Sequence, residues 1–157
     1  WKFSKLMKLF GDRPIVCVSG NHDFVSLAQL LKGAAYQGEV FDIDAEGSCV
    51  INGMTFAGFR EIPWIEGEWN GECQDLSSVV EQCFDKNPDV LVTHAPPSGI
   101  LCSDKVRGST VLAGALAYRP HSIKAHLFGH DHKGMGIAEE MDVFFSNAAT
   151  TVREIIL

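Results

Sequence analysis

The chain has 157 residues, about the size of one domain, and 46% of them are hydrophobic while 21% are charged. Its 13 Lys and Arg against 20 Asp and Glu give a formal net charge of −7. That balance argues against a protein that coats nucleic acid or binds an anionic membrane, since both need a basic face. No stretch approaches the ~20 apolar residues of a membrane span. Five irregularly spaced cysteines without a CxxC pair indicate thiols in a reducing compartment, so we expect a cytoplasmic protein.

The first half of the chain predicts two helices and several strands. Residues 15–18 form a short apolar run that is typical of a buried strand, and Asn52-Gly53 between two apolar runs predicts a two-residue hairpin turn. The predicted elements are a helix over 1–10 ended by Gly11, a strand over 15–18, a helix over 24–32 capped by Gly33, strands within 39–59, and a loop over 63–71.

The second half predicts alternating helices and strands. These are a helix over 74–84, a strand over 90–93, a helix over 110–118, a strand over 125–128, and tail strands near 143–146 and 152–156. Apolar strands separated by helices are typical of parallel β-α-β units, so the fold class is α/β. In such sheets, binding sites gather outside the carboxyl ends of the strands. The strands over 15–18, 90–93 and 125–128 each run directly into a polar motif that contains histidine.

These three motifs together offer one amide oxygen and several imidazoles. They contribute Asn21, His22, His94, His130 and His132. Mixed nitrogen and oxygen ligands suit divalent ions such as zinc, iron or manganese. An extended backbone would place the rings of His130 and His132 on the same side, so that they serve one ion or two adjacent ions. Asp23, next to His22, can hold that imidazole in one tautomer.

Each motif also has a purely structural interpretation. Residues 20–23 can form a turn followed by an Asp N-cap, and His94 can be a strand end shaped by the two prolines that follow. His126 lies inside an apolar strand, where we expect a structural role. The glycine-containing loop with Trp64 and Trp69 either contacts substrate at a cleft rim or covers a packed surface, and we favour the rim.

The order of the motifs resembles that of the calcineurin-like metallophosphoesterases. The matching blocks are Gly-Asn-His-Asp at 20–23, Thr-His-Ala-Pro-Pro at 93–97 and Gly-His-Asp-His at 129–132. The stretch over 127–136 and Asn147-Ala148 are similar to the small phosphodiesterase-like branch of that superfamily. The resemblance implies a β-sandwich of two mixed sheets flanked by helices. It also implies a metal-dependent phosphoesterase that hydrolyses phosphodiester or phosphomonoester bonds.

The resemblance further implies a role for each motif residue. Asn21, His94 and His130 would bind one metal ion, and His132 would bind a second. His22 would contact the phosphate and act as general acid toward the leaving alkoxide, oriented by Asp23. A metal-activated hydroxide would attack, with manganese, iron or zinc as the ions.

Two motif blocks of the family are not found in the sequence. These are the Asp-x-His and Gly-Asp blocks, which precede Gly-Asn-His-Asp in the family. Asp12 of Gly11-Asp12 cannot replace the aspartate of the Gly-Asp block, because it lies before the strand predicted over 15–18 and not after it. Without the bridging carboxylate, we expect at most one well-held ion. Because the chain begins with Trp1 and no Met, we expect residues 1–157 to be a single metallophosphoesterase domain that is N-terminally truncated, the later two-thirds of a full one.

An inactive or incomplete module for metal binding or protein interaction, on the same fold, is the alternative to an enzyme. A separate chain that completes the site is a variant of that interpretation. The partners we expect are a small phosphate ester as substrate and a second copy in a homo-oligomer. We expect no membrane partner and no strong binding of nucleic acid.

Overall fold

The chain, as a computed structural model, is described over residues 3–104 and 106–156. These residues form five helices, which are α1 Phe3–Phe10, α2 Leu27–Gly33, α3 Ile43–Glu46, α4 Ser77–Phe84 and α5 Thr110–Tyr118. The described part of the chain also forms ten strands, which are β1 Ile15–Cys17, β2 Val40–Asp42, β3 Ser48–Ile51, β4 Met54–Phe59, β5 Ile62–Pro63, β6 Glu72–Cys73, β7 Val90–Thr93, β8 Ala125–Phe128, β9 Gly136–Glu140 and β10 Val143–Asn147. The first two residues of the helix predicted over 1–10 lie outside the described residues.

The largest sheet has six strands in the order β3-β4-β7-β8-β10-β9. Its four central strands run parallel to one another, while β3 and β9 pair antiparallel at the two edges. Strands β1 and β2 form a separate parallel pair, and so do β5 and β6. The mixed sheet flanked by helices confirms the predicted α/β class. Of the three predicted buried strands, β7 and β8 are neighbours in this sheet, whereas β1 belongs to the smaller one.

Two apolar cores hold these layers together. In the larger core, helices α4 and α5 bury side chains against the six-stranded sheet, and Leu91, Leu112 and Phe145 are completely buried. The smaller core joins α1 and α2 to β1 around Leu31 and Tyr36. Helix α3 contacts strands of both sheets and so lies between the two cores. Within the described residues, no helix is both long enough and apolar enough to cross a membrane.

Several element boundaries differ from the prediction. Helix α2 begins three residues later than predicted because Ser26 caps it, with its hydroxyl accepting a 3.4 Å bond from the amide of Gln29. Gly33 is the last helical residue, and Ala34 is the cap. The strand predicted over 152–156 is wrong, since those residues form no regular element.

Four elements were not predicted at all, namely the helix α3 and the strands β5, β6 and β9. Strand β9 pairs antiparallel with β10, although its sequence Gly-Ile-Ala-Glu-Glu has little β propensity. The short helix α3 interrupts the predicted strands within 39–59. The hairpin turn is confirmed, because Asn52 and Gly53 both have positive φ between β3 and β4.

His126 is structural, as expected. It is completely buried in β8, and its ring contacts those of Phe128 and Phe145 at centroid distances of 4.6 and 5.8 Å. The Thr93 hydroxyl donates to the carbonyl of Ala95 at 2.7 Å, so His126 Nε2 donates to Thr93 Oγ1 at 2.8 Å. Nδ1 is buried without a hydrogen-bond partner among the described residues. Burial lowers the pKa of His126 from 6.5 to about 3, so the ring is neutral near pH 7.

Candidate functional site

The loops that follow β1, β7 and β8 meet at one cleft of about 700 Å³. The cleft is lined by Asn21, His22, Ile65, Trp69, His94, Asp104, Val106, Arg107, Gly129, His130, His132, Ala148 and Ala149. All five sequence-predicted amide and imidazole residues are therefore brought together. Asn21 is buried, His94 and His130 are half-buried, and His22 and His132 are exposed.

Three side-chain atoms, two of nitrogen and one of oxygen, lie close together in the cleft. His94 Nε2 lies 2.9 Å from Asn21 Oδ1 and 3.2 Å from His130 Nδ1. Neighbouring ligands around an octahedral ion with bonds of about 2.1 Å are separated by about 3.0 Å. The observed spacings are close to that value, so the three side chains can serve as neighbouring ligands of one divalent ion.

Hydrogen bonding alone does not account for both short contacts of His94 Nε2, whereas a bound cation would. One imidazole nitrogen carries either one proton or one lone pair, so His94 Nε2 cannot make two well-aligned hydrogen bonds to its two neighbours. His130 Nε2 is buried and has no hydrogen-bond partner among the described residues. Within residues 3–104 and 106–156, no three His, Cys, Asp or Glu side chains gather as a metal site. The side chain beside the two histidines is the amide of Asn21, so these three side chains could hold one divalent ion without a carboxylate.

Burial keeps both central imidazoles neutral. It lowers the pKa of His94 from 6.5 to about 4, with a further contribution from His130. The pKa of His130 is also lowered, first by burial and then by the nearby Arg107 guanidinium. Metal ligands must be deprotonated, so the two rings are ready to bind an ion near neutral pH.

The turn over 20–23 is shaped by close contacts. A Cβ on Gly20 would lie 2.9 Å from His94 Cε1, which explains why glycine occupies this position. The Asp23 carboxylate accepts a 2.7 Å hydrogen bond from the amide of Gly20. No hydrogen bond joins Asp23 to the His22 ring among the described residues, and Asp23 is not the helix N-cap, which is Ser26. Asp23 therefore orders the turn itself.

The motif after β8 is a turn, and the predicted extended backbone is wrong. His130 has φ of 64°, which is uncommon for a residue other than glycine. His132 begins a short 3₁₀ turn over His132–Gly134. The chain therefore turns at His130 itself. Both histidine rings nevertheless line the same cleft.

Asp131, between the two histidines, is a residue that the sequence analysis missed. It is completely buried, and its carboxylate accepts hydrogen bonds from the amide and hydroxyl of Ser103 and from the amides of Lys133 and Gly134. Asn147 donates to the Asp131 carbonyl at 2.8 Å. Asp131 therefore joins the motif to the loop that carries Ser103. An aspartate just before a short turn is a capping signal that was available in the sequence.

Two other charged residues of the cleft were also missed. The Arg107 Nε lies 3.3 Å from Asp104 Oδ2, and about half of each side chain is exposed. Asp104 Oδ1 accepts from the amides of Val106 and Arg107 at 3.0 and 2.9 Å. The cleft wall thus presents the guanidinium group of Arg107, which belongs to no recognisable sequence motif.

The two tryptophans of the loop have different surroundings. Trp69 lines the cleft, and its ring contacts that of His22 edge to face, with centroids 4.4 Å apart. Trp64 is half-exposed, and Ile65 is the neighbouring residue that faces the cleft. Trp69 is therefore at the cleft rim, whereas Trp64 is not among the residues that line the cleft.

Comparison with known proteins agrees with the motifs. The family model described as calcineurin-like phosphoesterase matches residues 1–134, which contain all three motif blocks. Comparison with curated proteins gives no match. The matched region covers most of the chain, including β1, β7, β8 and the turn over 132–134. The chain therefore belongs to the calcineurin-like phosphoesterases, a family of metal-dependent hydrolases of phosphate esters.

Proposed function

We propose that this chain hydrolyses small phosphate esters with a divalent metal ion held by Asn21, His94 and His130. The convergence of Asn21 Oδ1, His94 Nε2 and His130 Nδ1 carries the proposal. His132 lines the same cleft and would contribute to a second ion. When bound, a divalent ion polarises the phosphoryl group and acidifies water.

The chain's own residues supply binding and proton transfer. The Arg107 guanidinium on the cleft wall complements the negative charge of a phosphate ester. His22 is exposed on the same cleft, where its ring can reach the leaving oxygen of a bound ester. As the P–O bond to the leaving group breaks, His22 donates a proton to that oxygen, and the alcohol departs neutral. The proton lost by the attacking water goes to solvent or restores the imidazolium.

Turnover of a generic aryl phosphodiester with added manganese tests the proposal. With a phenyl ester, whose phenolate departs slowly unless it is protonated, His22→Ala should lower turnover by about 10²–10⁴-fold. Manganese binding, measured by equilibrium dialysis, should stay at the wild-type level. The matched control is His121→Ala, since His121 bonds to the carbonyl of Leu116 and does not line the cleft. That control should keep both activity and binding. A wild-type protein that binds manganese without turnover contradicts the proposal.

A non-catalytic metal-binding or interaction module is the second candidate. It is favoured by the neutral ligand set, because no carboxylate joins His94 and His130 within the described residues. A chain that supplies the missing acidic ligand would convert such a module into a hydrolase. If equilibrium dialysis finds two ions per chain, the interpretation that the metal site is incomplete is excluded.

The sequence supports the finer parts of the proposal. Nitrogen and oxygen ligands favour manganese, iron or zinc. The five free cysteines favour a reducing compartment such as the cytoplasm. A homo-oligomer and the choice between monoester and diester remain predictions, which native mass spectrometry and a comparison of ester substrates would test.

A further inference from the structure

The loop between β5 and β6 is closed from inside by one carboxylate. Glu72 Oε1 accepts hydrogen bonds from the amides of Ile65 at 3.3 Å and Gly67 at 3.1 Å. The strands at its two ends pair in parallel, with Ile62 opposite Glu72. These contacts fold residues 64–71 into a defined shape over the cleft.

The shape of this loop places Trp69 against His22. A Cβ on Gly67 would lie 2.0 Å from Trp69 Nε1, so only glycine leaves room for the indole there. The indole meets the His22 ring edge to face, with an interplanar angle of 61°. An aromatic pair of this kind stabilises one side-chain rotamer by about 3–10-fold in population.

The same loop also holds the backbone next to His22. Asn70 Nδ2 donates to the carbonyl of Asp23 at 2.7 Å. The Asp23 carboxylate accepts from the amide of Gly20, which closes the turn on the other side of His22. His22 is thus an exposed side chain whose backbone and ring are both restrained by neighbours.

We propose that Trp69 and Asn70 are positioning residues for His22, holding its ring toward the leaving oxygen of a bound ester. The inference rests on the proposed role of His22 as proton donor. Trp69 acts through the imidazole, and Asn70 acts through the carbonyl of Asp23. Binding of the phosphate itself does not depend on either residue.

A comparison of leaving groups tests this role. Nitrophenolate departs without help, whereas unsubstituted phenolate departs faster when a general acid protonates it. We would measure kcat and KM with manganese for methyl nitrophenyl phosphate and methyl phenyl phosphate. The variants are His22→Ala, Trp69→Leu, Trp69→Phe and Asn70→Ala. Tyr118→Leu is the matched control, because Tyr118 is an exposed aromatic residue that does not line the cleft.

The expected result is selective loss on the phenyl ester. His22→Ala lowers kcat there by about 10²–10⁴-fold, and Trp69→Leu and Asn70→Ala by about 3–10-fold. The nitrophenyl ester loses less than about 3-fold in kcat, and KM is unchanged for both esters. Trp69→Phe recovers most of the rate, and Trp69→Leu adds no further loss when His22 is already alanine.

Different outcomes overturn different statements. Equal losses on both esters in Trp69→Leu and Asn70→Ala, beside a selective loss in His22→Ala, overturn the positioning role alone. An unselective His22→Ala variant or an inert wild type overturns the proposed function together with the inference. The positioning role also predicts a nuclear Overhauser effect between the rings of His22 and Trp69 in the wild-type protein. If that effect is not observed, the positioning role is overturned without any assay of activity.

Discussion

Acid should destabilise this protein through His126, which has no part in the candidate metal site. The ring is completely buried and neutral, with its pKa lowered from 6.5 to about 3 by burial. The unfolded chain exposes the same imidazole to water, where its pKa returns to about 6.5. Below that pH the unfolded state binds a proton that the folded state does not, so stability falls with decreasing pH down to about pH 3.

The size of this effect follows from the two pKa values. At about pH 4.5, the unfolded imidazole is almost fully protonated, while the folded one is still neutral. The free energy of unfolding therefore falls by about 2–3 kcal/mol between pH 7 and about pH 4.5 from His126 alone. For a chain of this length, that loss corresponds to about 5–10 °C in Tm.

His126→Leu is the perturbation that isolates this term. The Thr93 hydroxyl keeps its bond to the carbonyl of Ala95, and the unpartnered Nδ1 is removed together with the ring. Near pH 7 we expect the free energy of unfolding to change by less than about 2 kcal/mol. The variant loses one hydrogen bond, but it also removes one buried polar atom that has no partner among the described residues. Between pH 7 and about pH 4.5, the free energy of unfolding of the variant should fall by about 2–3 kcal/mol less than that of the wild type.

Urea unfolding followed by circular dichroism, with a chelator present throughout, measures the difference. His94 also has a lowered pKa, and its contribution cancels because it is common to both proteins. His121→Gln is the control, since His121 bonds to Leu116 through Nε2, and it should follow the wild-type pH dependence. Identical pH dependence in wild type and His126→Leu would refute the reasoning, as would an NMR titration of His126 near pH 6.5.

The remaining predictions concern the cleft. His94→Ala removes the atom shared by the two short contacts and should weaken manganese binding by more than about 100-fold, measured by calorimetry, with His121→Ala as the control. Gly20→Ala places a Cβ 2.9 Å from His94 Cε1 and should lower manganese affinity while Gly33→Ala, with open space around it, does not. Asp131→Ala leaves the amides of the turn without their acceptor and should lower the free energy of unfolding by about 1–3 kcal/mol in urea; a loss under about 0.5 kcal/mol would contradict the anchoring role of this carboxylate.

The sequence predicts best where a local pattern decides the structure. Helix α5 matches its predicted bounds, because Ser109 caps it and the apolar spacing continues to Tyr118. Strands β7 and β8 were predicted as short apolar runs, and they are buried in the centre of the large sheet. Strand β9 was missed because pairing with β10, rather than its own residues, makes it a strand.

Long-range features of the site were accessible only in part. The proximity of His94 and His130 could be predicted because β7 and β8 end at the same edge of one sheet. Asn21 joins them from β1, which belongs to the other sheet. The pairing of β1 with β2 in a separate sheet could not be predicted, since register between distant segments leaves no local signal. The same holds for the contacts of Trp69 with His22 and of Ser103 with Asp131, which depend on how two loops fold.

The contact between Asn21 and His94 joins parts of the chain that are 73 residues apart. Asn21 follows a strand of the small sheet and its core, whereas His94 and His130 follow central strands of the large one. An ion shared by these three side chains would act as a cross-link between the two cores. Binding of the ion would then raise the free energy of unfolding, by about 2.7 kcal/mol when the free metal concentration is one hundred times Kd. The availability of metal in solution would thereby govern how firmly the segment with α1 and α2 is held to the rest of the molecule.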